Sequence, residues 1–422
     1  MNSNSRAPQV PAPKPRAFAS LFNRNFRIFF FATTAAMMAD NIEHVISYFV
    51  MYQKFHSPAL AGFAVVSHWV PFLLAGGFTG RLADRFGARR LIQVGMLLFI
   101  AVSAGWGIMF MTDSTAIWKA MVLLVVHGAA GVLWVPASQV MIYEIAGVAQ
   151  LPSAVRIFAT GRYLGFVVGP FLGAGLLLEF GPAYGIMINA LIYMPPFVWL
   201  MGTHYGSRMA GGQAKARDIN GFADVLSSMR VIARNPVLLS MTAMIGAAAF
   251  FVGNAYQSLL PGFALDLGHD RGDFAYGALI GADAAGGLMA GVILEGGGLL
   301  PPRARSAFVL AMMWCCALVG FARSNTYVVS IALLFVAGFV ELAFNAMAQT
   351  LVQLNAPGDM RGRVIGVFSM FSMGLRTFSG LSVGLLGSVI GIHNSLSYSA
   401  AALFLLYAAM FGVRQLRRGP SL

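Results

Sequence analysis

The chain has 422 residues, of which 58% are hydrophobic and only 10% charged, against about 25% charged in a soluble domain. That excludes a soluble globular fold, which cannot hide so much apolar surface, and makes lipid the solvent for most of it. The net charge of +13 would suit nucleic acid, but the Lys and Arg sit in short loops between apolar runs, so no nucleic-acid partner is expected. Nothing has the form of a nucleotide loop or a nucleophile motif, so the chain is read as neither an enzyme nor a cofactor protein.

In chain order, the residues before Arg27 are Pro-rich and basic, lack a cleavable signal layout and read as a disordered tail, 1–26. Six apolar spans follow: Arg27–Tyr52, Ala59–Gly80, Leu91–Met111, Ala116–Ile142, Ala154–Leu178 and Tyr184–Thr203. Each is long enough to cross a bilayer. The longest polar stretch comes next, with a possible amphipathic helix near Phe222–Ala233. Six more spans follow it: Val237–Gly262, Phe274–Leu294, Ala307–Phe321, Tyr327–Leu351, Arg363–Gly387 and Leu396–Val413. The predicted organisation is thus a bundle over 27–204, a linker over 205–235, a second bundle over 236–413 and a tail over 414–422. Cys315 and Cys316 are adjacent in an apolar run and are not expected to form a structural disulfide.

The distribution of Lys and Arg sets the orientation. Twenty-one of the 28 fall on the side of the N-terminal tail, four on the other side, and three inside or at the edge of spans. Both termini are therefore expected in the cytoplasm. One missed span would invert every later loop and destroy this bias.

Between the second and third spans lies Gly80-Arg-Leu-Ala-Asp84-Arg85-Phe-Gly87-Ala-Arg89-Arg90. It resembles the loop signature of the major facilitator superfamily, roughly G-x-L-x-D-R-x-G-R-R, from which only Ala88 departs. The resemblance implies two pseudo-symmetric six-helix bundles, an all-α membrane fold with a substrate site between the halves. It also implies a gate. Asp84 would face the N-terminus of span eleven, where the helix dipole favours negative charge, and Arg85, Arg89 and Arg90 would meet nearby carboxylates such as Glu144. A weak internal repeat agrees: Gly291-x-x-x-Glu295 before Arg303 and Arg305 echoes Gly80-x-x-x-Asp84 before Arg89 and Arg90. Pro136-Ala-Ser-Gln139 with Leu151-Pro-Ser-Ala154, and Gln349-Thr-Leu-Val-Gln353 with Arg361-Gly-Arg-Val364, look like the subgroup containing the bacterial enterobactin exporter and drug-efflux carriers. Gly165-Phe-Val-Val-Gly169-Pro170-Phe-Leu-Gly173 is similar to the antiporter motif in the fifth helix of exporters, with Ala174 replacing its final Gly.

A charge at mid-bilayer costs at least a few kcal/mol, so it faces a cavity or a partner. Span one carries Asp40, Asn41, Glu43 and His44. Elsewhere stand His68, His127, Arg162, Asp283, Glu341 with Asn345, and Arg376. Spans three, six, nine and twelve have no acidic, basic or His residue at their centres, and in the resembled fold these are the outer helices. Asp40 and Glu43 lie one turn apart. Repulsion and burial together make it easy for one of them to hold and release a proton. Permanent pairing with Arg162 or His44 is the structural alternative. His68 and His127 read as hydrogen-bonded packing residues, and no spacing of His, Cys and carboxylates suggests a metal site.

These features together predict a proton-coupled exporter of a small organic or amphipathic molecule in the cytoplasmic (inner) membrane, working as a monomer by alternating access. The cavity set is Asp40, Glu43, His44, Arg162, Asp283, Glu341, Asn345 and Arg376. An uptake symporter or lysolipid flippase of the same fold, and a transport-inactive sensor or assembly protein, are the competing readings.

Overall fold

The computed structural model describes residues 17–416 apart from 56–57, 115, 207–221, 254, 269–271, 297–299, 380–382 and 384–385. The expected tail (1–16), most of the linker (207–221) and the last residues (417–422) lie outside the described residues. The described chain is all helical. α1 (Arg24–Phe55), α2 (Pro58–Phe86) and α3 (Ala88–Met111) are followed by α4, a helical run from Ile117 to Ile192, and then by α5 (Met194–Gly202). α4 is not one rod. Gly147 (φ 68°) and Gly181 (φ 71°) leave the helical region for a conformation that only glycine adopts without strain. The chain doubles back at Gly181, since a Cβ on Gly185 would stand 3.0 Å from the Leu176 carbonyl oxygen. The long run therefore holds the three pieces expected as spans four to six.

The amphipathic helix is α6 (Phe222–Arg234), which turns by 112° into α7 (Pro236–Phe251). Asn235 makes this corner. Its side chain accepts from the amides of Val237 (2.9 Å) and Leu238 (3.2 Å), with Pro236 opening the new helix, so the N-terminal donors are capped and a fixed φ starts the next turn. α8 (Ala255–Asp266), α9 (Gly272–Gly296), α10 (Ala304–Arg323) and α11 (Tyr327–Asn355) follow. The expected seventh span is thus two helices, broken near Gly253 (φ 48°). The expected eleventh is broken too. It runs through α12 (Arg361–Ser369), a π-helical turn at Met370–Gly374, α13 (Arg376–Ser379) and α14 (Leu386–Ile390). α15 (Ile392–Leu416) ends the fold.

Among the described residues, six helices are long and apolar enough to cross a membrane, or seven if α6 and α7 count as one span. α1 is long enough at 32 residues but is not among the six, and its centre carries Asp40, Asn41, Glu43 and His44. Large apolar side chains such as Phe171 and Leu178 stand on the outer surface, as lipid contact requires. Cys315 and Cys316 are both free.

The two halves meet through glycine. α2 lies so close to α12 that a Cβ on Gly80 would come within 2.9 Å of the Gly366 Cα, and one on Gly366 within 2.6 Å of the Gly76 carbonyl. Small residues let helix backbones approach in this way where lipid offers no hydrophobic drive. Gly165, Gly169 and Gly173 do the same within the first half. They press α4 against Met37, Asn41 and Ile42 of α1, where a Cβ on Gly169 would stand only 2.7 Å from the Asn41 Cβ. The antiporter-like motif thus backs the turn that carries Asp40 and Glu43.

Candidate functional site

Three histidines converge at one level. His44 lies eleven residues from the end of α1, and His68 and His127 ten residues into α2 and α4. At 1.5 Å per residue each is about 15 Å from the end opposite the Arg-rich loop, near half the thickness of a bilayer. Their ring centroids are 4.8 Å (His44–His127), 5.1 Å (His44–His68) and 5.6 Å (His68–His127) apart.

His127 joins both carboxylates of α1. Its Nδ1 is 2.8 Å from Glu43 Oε1, and its Nε2 is 3.1 Å from Asp40 Oδ1. Asp40 Oδ2 also stands 3.8 Å from His44 Nδ1. Behind them the Ser103 hydroxyl donates to Glu43, and Asn189 donates to Ser103 at 3.3 Å. Glu43 and His127 are buried, whereas Asp40 and His44 are partly open, with 13% and 22% of their side chains exposed. The group has a closed back and an open front.

Two expectations are corrected here. The side chain held between Asp40 and Glu43 is His127 rather than Arg162, with His44, the other expected partner, beside Asp40 only, so His127 is no mere packing residue. Nor does the absence of a metal-like spacing survive folding, because the ligand nitrogens of His44, His68 and His127 lie within 4.8 Å of one another. Linear spacing could not show this, since the three come from different helices.

The second half supplies another polar group. Asp283 on α9 accepts from the Tyr256 hydroxyl (3.1 Å) and the Gln257 amide (3.3 Å) of α8. Glu341 on α11 lies within electrostatic reach of Asp283, Arg376 and Arg162. Arg376 places its guanidinium 5.3 Å from the Trp69 ring across the interface between halves. Asn345 turns away, donating to the carbonyl of Glu341 at 3.0 Å along its own helix.

Two latches close the end that carries the Arg-rich loop. In the first, Asp84 accepts from the backbone amides of Gly362 (2.9 Å) and Arg363 (3.0 Å) at the start of α12, with Arg363 Nε at 3.6 Å. In the second, at the position of the internal repeat, Glu295 on α9 accepts from Arg156 Nε and Nη2, both at 2.7 Å, and from the Ser153 hydroxyl. Between them Gln349 and Gln353 of α11 donate to Gln139 of α4, and Arg361 stacks 3.5 Å over Tyr143. The loop arginines differ from expectation. Glu144 accepts from the Gly206 amide at 2.6 Å, Arg89 donates to the Thr203 carbonyl, and Arg85 lies 5.2 Å from the Phe86 ring. Arg90 is exposed. Arg81 instead pairs with Asp224 and ties α6 to α2.

Two helical halves, polar groups facing inward at mid-depth and a glycine-lined, ion-paired closure at one end define a membrane carrier. The sequence profile of the Major Facilitator Superfamily matches residues 28–380, and the chain belongs to that family. It is a multi-pass transporter, and members of the family are not enzymes. The human organic anion transporter MFSD10 (TETRAN) superposes with a TM-score of 0.64 at 16% identity, covering 95% of this chain and 100% of that one. The E. coli fucose:proton symporter FucP superposes with a TM-score of 0.69 at 13% identity, covering 92% and 99%. A Na(+), Li(+), K(+)/H(+) antiporter of Planococcus maritimus is 29% identical over 126 residues, which is 29% of this chain and 28% of that protein's length.

Proposed function

We propose that the chain is a proton-coupled exporter of a small organic or amphipathic molecule. It sits in the cytoplasmic membrane with twelve spans, both termini inside, and works as a monomer by alternating access. The observation that carries this reading is the Glu43–His127–Asp40 group, two carboxylates bridged by one imidazole at half depth. Such a group exchanges a proton with whichever side the cavity opens to. Asp283 and Glu341 across the cavity would meet a cationic or hydrogen-bonding cargo, with Arg162 and Arg376 taking an acidic portion. Both latches lie on the cytoplasmic side in this orientation, and breaking them opens the cavity inward. The antiporter likeness and the glycine motif against α1 favour exchange of proton for cargo over co-transport.

The test is proton release from energised everted vesicles, followed with a pH-sensitive dye, on adding ethidium, Na+ or K+ in separate runs. The expected result is dye recovery with ethidium in the wild type and none with Asp40→Asn combined with Glu43→Gln, whereas recovery with Na+ or K+ alone would replace the organic cargo by a metal cation. Equal recovery in the double variant would overturn the assignment and move coupling to Asp283 and Glu341. Cargo entering together with protons would make the protein a symporter.

A further inference from the structure

Most buried imidazoles have both nitrogens satisfied, and here two do not. Among the described residues, His68 Nδ1 is buried with no hydrogen bond, and His127 Nε2 is buried without hydrogen-bonding geometry although Asp40 Oδ1 stands 3.1 Å away. The second case has a specific cause. Glu43, held by Ser103, accepts a hydrogen bond from His127 Nδ1 at 2.8 Å. A neutral ring that donates from Nδ1 has only a lone pair left on Nε2. That lone pair lies 3.1 Å from Asp40 Oδ1 without being aimed at it, which leaves it free to ligate a cation together with the two other histidines at the same spot.

We propose that His44, His68, His127 Nε2 and Asp40 together form a binding site for a divalent first-row transition-metal ion of the zinc, cobalt and nickel class. The chemistry of the donors selects this class. Three imidazoles and one carboxylate suit these ions, whereas magnesium, calcium and alkali ions prefer oxygen shells. Glu43 is the carboxylate that commonly receives the second N–H of a metal-bound histidine and fixes its ring. The nitrogens lie within 4.8 Å of one another, and a four-coordinate ion with bonds of about 2.1 Å needs them about 3.4 Å apart. Small ring rotations, possible at the open front formed by His44 and Asp40, close that gap. The binding rests on this geometry alone and not on the function proposed above.

The experiment uses full-length protein in detergent, freed of any purification tag and stripped with chelator, and titrated with Co2+ as an optical stand-in for Zn2+. The expected result is one Co2+ per chain with the visible bands of a four-coordinate site, displaced by Zn2+ and not by Mg2+. His68→Ala and His68→Gln, which break no hydrogen bond of the described structure, should each weaken binding at least tenfold. Absence of stoichiometric Co2+ in the wild type would overturn the proposal, as would unchanged affinity in both variants, which would assign the ion to a surface histidine such as His204 or His393. Wild-type vesicle coupling without metal binding would sink this site alone, and metal binding by the wild type alongside intact coupling in the Asp40 and Glu43 double variant would sink the proton assignment alone.

Discussion

Removing Arg156 should open the closed end of the molecule. Glu295 is almost wholly buried, with 1% of its side chain exposed, and its charge is answered by two Arg156 nitrogens and one serine hydroxyl. Arg156→Ala leaves that carboxylate with Ser153 alone. Stripping one partner from a buried ion pair costs about 3–5 kcal/mol. Arg156 keeps 15% exposure, so the lower end applies. Opening relieves this cost, because Glu295 then meets water. About 3 kcal/mol is roughly a 150-fold shift from closed to open. Pulsed EPR between labels at Ala149→Cys and Asp359→Cys, both exposed at this end, in a Cys316→Ser background, should show a narrow distance giving way to a longer, broader one. Arg156→Met with Glu295→Leu removes both charges at similar volume and should restore the narrow distance, since buried pairs are often replaceable by apolar ones. A wild-type-like distribution in Arg156→Ala, or a double variant as open as the single, would refute the argument.

Burial pushes the Asp84 carboxyl, beyond the end of the second predicted span, up to about 6 against the lowering effect of two backbone donors and Arg363. A solvated carboxyl titrates near 4, so closure at this latch is strongest below about pH 4 and weakens as pH rises through about 6. Asp84→Asn resembles the protonated form. It should slow transport by holding this end closed, and the same EPR pair should lose its pH dependence. Gly80→Ala places a methyl against the backbone of α12 and should prevent closure, read as increased cysteine labelling from the cytoplasmic side. Impermeant thiol reagents should reach cysteines at Ser3, Gly212 and Ser421 only from inside and at His56 and Asp270 only from outside; Gly212 labelled from outside would break the six-plus-six reading.

Much of the architecture was legible because lipid imposes a simple rule. Uncharged centres in spans three, six, nine and twelve, and Arg crowded on alternate loops, follow from solvation rather than from any particular contact. The turns at Gly147 and Gly181 fall in the gaps expected between spans four, five and six. The breaks inside spans seven and eleven, near Gly253 and at Met370–Gly374, were not legible, because those runs read as continuous apolar spans. The carboxylates of α1 stood out in the sequence, but their partner did not. His127 is 84 residues from Glu43, and a lone histidine in an apolar run looks like packing. A usable signal was still present: His44 lies eleven residues before the C-terminus of α1, and His68 and His127 ten residues after the N-termini of α2 and α4, and helices that alternate in direction bring those ends to one side and the three rings to one depth. Glu295 was visible as an echo of Asp84, but its partner Arg156 was hidden, because the first latch ends on backbone and gives no hint of a side-chain counterpart.

That difference gives the two latches unequal exposure to genetic drift. Asp84 holds amide groups, which every residue except proline carries, so substitution at 362 or 363 rarely removes its partner. What position 362 must preserve is smallness, since a methyl there would run into Asp84 itself. Glu295 depends on a side chain that a single codon change can erase. Loss on either side of that contact disables it, and its restoration calls for a paired change. Lineages descending from this chain should therefore keep an acid at 84 while trading the identities at 156 and 295 together.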